Sequence, residues 1–162
     1  MNINFLLPLA ALLTLSACAT YTTPAPAVPN ATVNINRLRL VNDSPDTQPR
    51  TYFSDGITSY KTNYRGWTQE VINRLSTHLR SSGYRGEVDR LLSFSLQSMN
   101  CSGHYIADCS VSLLVSRGDG VRIIYNTDTF NGWPIATALD RALDASVSLI
   151  VADNQIKQFI AE

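Results

Sequence analysis

Cys101 and Cys109 stand either side of Ser-Gly-His-Tyr-Ile-Ala-Asp, and they are the residues of this chain best placed for covalent chemistry. Cys101 follows one stretch in which apolar and polar residues alternate, Arg90 to Asn100, and Cys109 opens another, Cys109 to Ser116. If those stretches pair as neighbouring strands, the two thiols face one another and a disulfide pins the register. The competing chemistry is metal binding, because Cys101, His104, Asp108 and Cys109 gather soft and borderline ligands within one loop. That set lacks the paired short spacings of structural zinc sites, so no metal is expected and the disulfide is the reading carried forward. A serine nucleophile needs a base and an orienting group, and the chain holds neither a Gly-x-Ser-x-Gly elbow nor a Ser-x-x-Lys. Asp140 and Asp144 lie four apart on one helix face, but with Arg141 between them they read as a solvated surface. Gly118-Asp119-Gly120 is followed by a strand pattern, so it is a turn and not a phosphate cradle. His78 flanks the apolar Leu75 and Leu79 and reads as a boundary residue. No catalytic residue and no cofactor is expected.

The third cysteine has a different setting. Phe5 to Leu15 is an uncharged apolar run that ends in Leu15-Ser16-Ala17-Cys18. An apolar run of that length closed by small residues is a removable export signal, too short for a spanning helix. Leu-Ser-Ala-Cys resembles the bacterial lipobox, whose cysteine is acylated and becomes the new N-terminus. The resemblance implies a signal peptide over 1–17, lipidation of Cys18 and attachment to a membrane through that lipid. Ala19, not Asp, follows the cysteine, which by the same resemblance favours the outer membrane; a short stalk and an accessory role make the periplasmic side the expected one. The other reading is an ordinary signal peptide with Cys18 incidental. Export to an oxidising compartment also supports pairing of the two remaining cysteines.

Removal of seventeen residues leaves about 145, enough for one domain with a real core. Thirteen Lys and Arg balance thirteen Asp and Glu, so no net field draws the chain to nucleic acid, and none is expected as a partner.

The elements that must position these residues follow from periodicity. Residues 18–31, rich in Pro, Ala and Thr, read as a semi-stiff stalk. The folded domain is expected over 32–162. Thr32 to Val41 reads as a strand whose apolar parity shifts near Asn36, implying a bulge or two short segments. Asn42 to Asn63 reads as a long polar loop in which Asp55-Gly56 could close a small hairpin. From Arg65, Trp67, Val71, Leu75 and Leu79 recur every four residues beside Ile72, predicting an amphipathic helix that Gly83 terminates. Arg90 to Asn100, Cys109 to Ser116 and Val121 to Phe130 read as three strands of an antiparallel meander. Leu139, Leu143, Val147 and Ile150, with Ala138 and Ala142, predict a helix over Ile135 to Ile160. The fold class expected is α+β: a two-layer sandwich with a mainly antiparallel sheet covered by two helices.

Aromatic residues are the remaining candidates. Tyr52, Phe53, Tyr60 and Tyr64 lie in and after the long loop, and Trp133-Pro134 precedes the last helix. Large rigid side chains beside turn residues suit protein binding, so these five are the expected partner-binding set. The alternative is that Tyr64 and Trp67 plug the core and Trp133 staples the helix. The lipobox, the stalk, the helix Trp67-Thr68-Gln69-Glu70-Val71-Ile72-Asn73-Arg74-Leu75 and the meander with its C-terminal helix together resemble small Gram-negative envelope lipoproteins. The YajG-like lipoproteins and the auxiliary lipoproteins of envelope ABC transporters are the types it is similar to. That resemblance implies a non-enzymatic accessory protein that binds another envelope protein or assembly. A carrier or sensor of a small apolar or lipidic ligand is the alternative.

Overall fold

The structure, a computed structural model, describes residues 19–23, 25–27, 31–45, 48–55, 58–103 and 106–161. The export signal and Cys18 lie outside the described residues. Among the described residues one mixed sheet of nine strands carries three helices: β1 Ala19–Thr22, β2 Thr32–Ile35, β3 Leu38–Asn42, β4 Pro49–Ser54, β5 Thr58–Asn63, α1 Tyr64–Ser81, β6 Arg90–Ser102, β7 Ala107–Arg117, β8 Arg122–Asn126, β9 Phe130–Gly132, α2 Ile135–Ala152 and α3 Asn154–Ala161.

The α+β class holds, with a mixed sheet in place of the mainly antiparallel one expected. The parity shift at Asn36 is a reversal of the chain: Asn36, at φ 53°, and Arg37 turn β2 back onto β3 as a hairpin. Asn accepts that left-handed backbone better than most residues because its short amide bonds locally. The expected loop 42–63 contains the β4–β5 hairpin that Asp55-Gly56 hinted at, with the Asp55 N–H donating to the Thr58 carbonyl. The crossover through α1 then returns β6 parallel to both β3 and β4, so the sheet is mixed.

The hairpin of β6 and β7 is the spine. Along one edge of β6, β3 covers Arg90 to Phe94, while β4 meets it at Cys101. Between these two blocks the edge is finished by α1: Thr68 Oγ1 accepts from the Leu96 N–H at 3.1 Å, and the Tyr64 hydroxyl accepts from the Met99 N–H at 3.1 Å. β7 repeats the device on its far edge. There β8 covers Ser112 to Ser116, β9 covers Ala107 to Cys109, and Thr127 Oγ1 accepts from Val111 N–H at 3.0 Å between them. Buried backbone groups that lack a strand partner must find another, and these side chains supply it.

α1 and α2 cover one face through Val71, Ile72, Leu75, Ala138, Leu139, Ala142 and Leu143, all buried, as their periodicity predicts. Asn63 caps α1 by accepting from the Arg65 N–H. At the other end Gly83, at φ 72°, lets Tyr84 N–H reach the Leu79 carbonyl and Gly83 N–H the Arg80 carbonyl, a Schellman stop. The helix expected over Ile135 to Ile160 is two helices. Asp153 breaks it, its backbone extended at ψ 120°, its side chain accepting from the Gln155 and Ile156 N–H groups to start α3.

The segment expected to stand clear as a stalk is instead attached where it is described. Ala19 to Thr22 pairs in parallel with Thr58 to Lys61. Ala25 and Pro26 then lie on the first turn of α1, where a Cβ on Gly66 would stand 2.5 Å from the Pro26 carbonyl oxygen.

Candidate functional site

Cys101 and Cys109 are directly opposed on β6 and β7 and form a disulfide, with Cα atoms 4.1 Å apart. Both thiols are thereby used by one another, and Asp108, exposed on its neighbouring position, faces away from Cys109 as alternation along a strand requires. No group of three or more His, Cys, Asp or Glu comes together among the described residues; His104 lies outside them.

The five aromatic candidates do not form one exposed surface. Tyr52, Phe53 and Tyr64 are 7%, 5% and 4% exposed and belong to the core. Successive residues of a regular strand point to opposite faces. A register shift between Thr51 and Phe53 places Tyr52 in a bulge, and both neighbours turn inward. Tyr52 donates or accepts at 3.0 Å with Thr23, tying the N-terminal segment down. Tyr64 fills the gap beside β6, and burial pushes its hydroxyl above the ordinary tyrosine range, against the opposing pull of its Met99 contact and Arg50. Tyr60 is half-buried, with Phe53 edge-on at 5.5 Å and Tyr21 stacked at 5.4 Å. Trp133 alone of the five is free at the surface, 69% exposed.

The registers define a common end of the sheet. Tyr21, Tyr60, Phe53, Cys101, Cys109 and Phe130 are successive partners across six strands and form one transverse row. The next row outward runs Thr20, Ser59, Ser54, Ser102, Asp108 and Asn131, and beyond it come Ala19 with Thr58 and Ala107 with Gly132. Ile106 and Trp133, each one residue past that last pair, finish the same end. Ile106 is 61% exposed. It was invisible as a candidate because apolar residues at hairpin tips are ordinary; only its place beside Trp133 distinguishes it.

The opposite end of β6 is about 40 Å away at 3.3 Å per residue. There Arg37, Arg39 and Arg90 line a cavity of about 620 Å3 with Asp89, Asp119 and Phe159. Arg90 and Arg117 lie over Phe159 at 5.0 and 4.5 Å. Asp119 is bound by Arg117 and the Val121 N–H; removal from water opposes them, but they hold its carboxyl below the ordinary range. A second cavity of about 460 Å3 opens between α1 and α3, floored by Leu75, Leu79, Leu92, Ile150, Ile156 and Ile160, with exposed His78, Arg85 and Lys157 on its rim.

Asp140 and Asp144 are exposed, as their spacing predicts, yet they have a partner the periodicity did not reveal. Arg74 of α1 binds Glu70 at 3.0 Å, Asp144 at 2.5 Å and Asp140. Burial alone lowers the affinity of the Arg74 guanidinium for its proton; the three carboxylates outweigh it and the group holds that proton more tightly than usual. The cluster joins two helices through one guanidinium shared by three carboxylates, and it stays net acidic. No helix among the described residues is long and apolar enough to cross a membrane.

No family model matches the chain, and no curated protein matches its sequence. Among solved structures, a Xanthomonas campestris protein described under the family designation DUF330 superposes over 88% of this chain and 89% of its own, with a TM-score of 0.43 at 12% sequence identity.

Proposed function

We propose that this chain is a non-enzymatic envelope accessory protein, anchored by lipid at Cys18 in the outer membrane and binding a second envelope protein from the periplasmic side. The observation that supports it is the polarity of the sheet: Ala19, the residue after Cys18, begins β1 at one end, and the arginines cluster at the other. A tether at the first end holds Arg37, Arg39 and Arg90 furthest from the bilayer, within reach of an acidic surface on a partner. The burial of Tyr52, Phe53 and Tyr64 moves the expected docking surface away from residues 42–63 and onto this basic end.

Site-specific photo-crosslinking in intact envelopes tests the reading. Probes at Arg37 and Arg39 should each yield one dominant protein adduct, identified by mass spectrometry, while a probe at Ile124 on the open sheet face yields little. Scattered adducts with abundant proteins, equal at all three positions, would overturn it.

The groove between α1 and α3 favours a second reading, carriage of an amphipathic ligand with an apolar body and an anionic head. Its aliphatic floor suits the body, and Arg85 and Lys157 on its rim suit the head. Organic extraction of protein purified without detergent should then release one stoichiometric lipid beyond the anchor; a clean extract removes this reading.

A further inference from the structure

We infer that the strand-end surface carrying Ile106 and Trp133 lies in the headgroup region of a lipid bilayer, so that the anchored domain stands on the membrane instead of swinging from it. The inference deepens the proposed function and rests in part on its anchor.

Three observations converge. Among the described residues Trp133 and Ile106 are the two most exposed large apolar side chains, at 69% and 61%, and they stand side by side past the Ala107–Gly132 pair. A monomer in water gains nothing from two such side chains together, whereas tryptophan, with an apolar ring and one N–H donor, is favoured where hydrocarbon meets water. The chain crosses into the folded domain at this same end, since Ala19 is paired with Thr58 in the outermost row. A lipid on the adjacent residue therefore has no long leash: residues 20–22 are held by β5, and Thr23 by a bond to the Lys61 carbonyl. Last, the surface is not basic. Asp55 and Asp108 lie in its outer rows, against Arg141, which donates to the Asn131 carbonyl. Attraction to anionic lipid is thus no part of the binding, and contact comes from apolar insertion, insensitive to salt.

Trp133 serves as its own probe, because the only other tryptophan, Trp67, packs against the core and donates to Thr62 at 2.9 Å. The full chain, purified with its anchor, is reconstituted into phosphatidylethanolamine–phosphatidylglycerol vesicles with and without dibrominated phosphatidylcholine. Bromolipid should quench part of the wild-type emission, and the quenching should vanish in Trp133→Phe. Equal quenching in the two, or none in either while both float with the vesicles, overturns the inference and leaves the anchor standing. Flotation of wild type but not of Cys18→Ser establishes the anchor separately. If the purified chain carries no acyl group, the anchor reading fails, and partition of the lipid-free protein at high vesicle concentration decides the surface. Ile106→Ser and Trp133→Ala should each then lose on the order of tenfold in partition coefficient, the scale set by burying one large apolar side chain. Unchanged partition overturns the inference in that case.

Discussion

Asp153 shows how one residue can set an element boundary and a pH dependence together. One carboxylate oxygen accepts from the Gln155 N–H at 2.6 Å and caps α3, while the other accepts from the Tyr125 hydroxyl at 2.7 Å. Removal from water alone raises the Asp153 carboxyl, but Tyr125 and the two N–H groups outweigh it and hold it below the ordinary value. Burial, then the bond to Asp153, pushes the Tyr125 hydroxyl above its ordinary value. The signs give two windows. A carboxyl held low in the folded state stabilises it above the unfolded value, near pH 4, and that contribution fades as pH falls through the folded value. A phenol held high stabilises the fold below about pH 10 and ceases to do so as pH rises through the folded value. Asp153→Ala should cost about 1 kcal/mol at pH 7, the usual worth of a helix N-cap, and flatten the acid limb of stability against pH. Tyr125→Phe should flatten the alkaline limb and, by removing one of the donors that hold Asp153 low, part of the acid limb as well. Urea midpoints from pH 2 to 11 check both, and curves parallel to wild type would contradict the assignment.

At the scale of elements, the N-terminal segment is held on α1 by an absence. Gly66 has no Cβ, and one built there meets the Pro26 carbonyl oxygen at 2.5 Å and the Ala25 Cβ at 2.7 Å. Alanine is the better helix former by about 1 kcal/mol, so Gly66→Ala should leave the thermal midpoint nearly unchanged while displacing residues 25 and 26. Limited proteolysis reads the difference: cleavage within 19–27 should quicken in Gly66→Ala and not in the exposed Arg80→Ala at the far end of α1. This attachment was not legible in the sequence. Ala-Thr-Tyr-Thr has no apolar periodicity, and nothing local announces that β5 has a vacant edge. The two main amphipathic helices, the Gly83 stop and the disulfide were legible, because each depends on a period or a spacing contained within its own segment. Strand phase was partly so. The apolar positions of β6 change from Leu92, Phe94 and Leu96 to Met99 and Cys101, which is the bulge at Gln97 written in parity. Burial of Tyr52 and Phe53 together was not legible, since two adjacent aromatics could be turned inward only by a bulge that no turn residue marks. For the candidate site the same division holds: Trp133 was visible as an aromatic beside proline, whereas Ile106 acquires meaning only from the Ala107–Gly132 pairing.

On the scale of the whole molecule, every strand block attaches through β6 or β7. The β3–β2 hairpin and the β4–β5–β1 block join β6, and β8 and β9 join β7. The Cys101–Cys109 bond therefore links the two halves of the spine, at the end where Ala19 enters β1 and where Ile106 and Trp133 are exposed. Its stabilisation acts mainly by restricting the unfolded chain, and a separation of 8 residues gives about 2 to 3 kcal/mol. Because β6 and β7 carry the other strands, that loss should be global. Cys101→Ala with Cys109→Ala should lower the urea midpoint for fluorescence and circular dichroism alike, with both probes still coincident. The opposite pattern is equally measurable. If the double variant keeps the wild-type midpoint and only the amides of β4, β9 and the β6–β7 tip exchange faster, the disulfide is a local clasp on the end that carries Ile106 and Trp133. The rest of the sheet would then be held by the paired ladder of Leu92 to Met99 with Val111 to Arg117, independent of the bond.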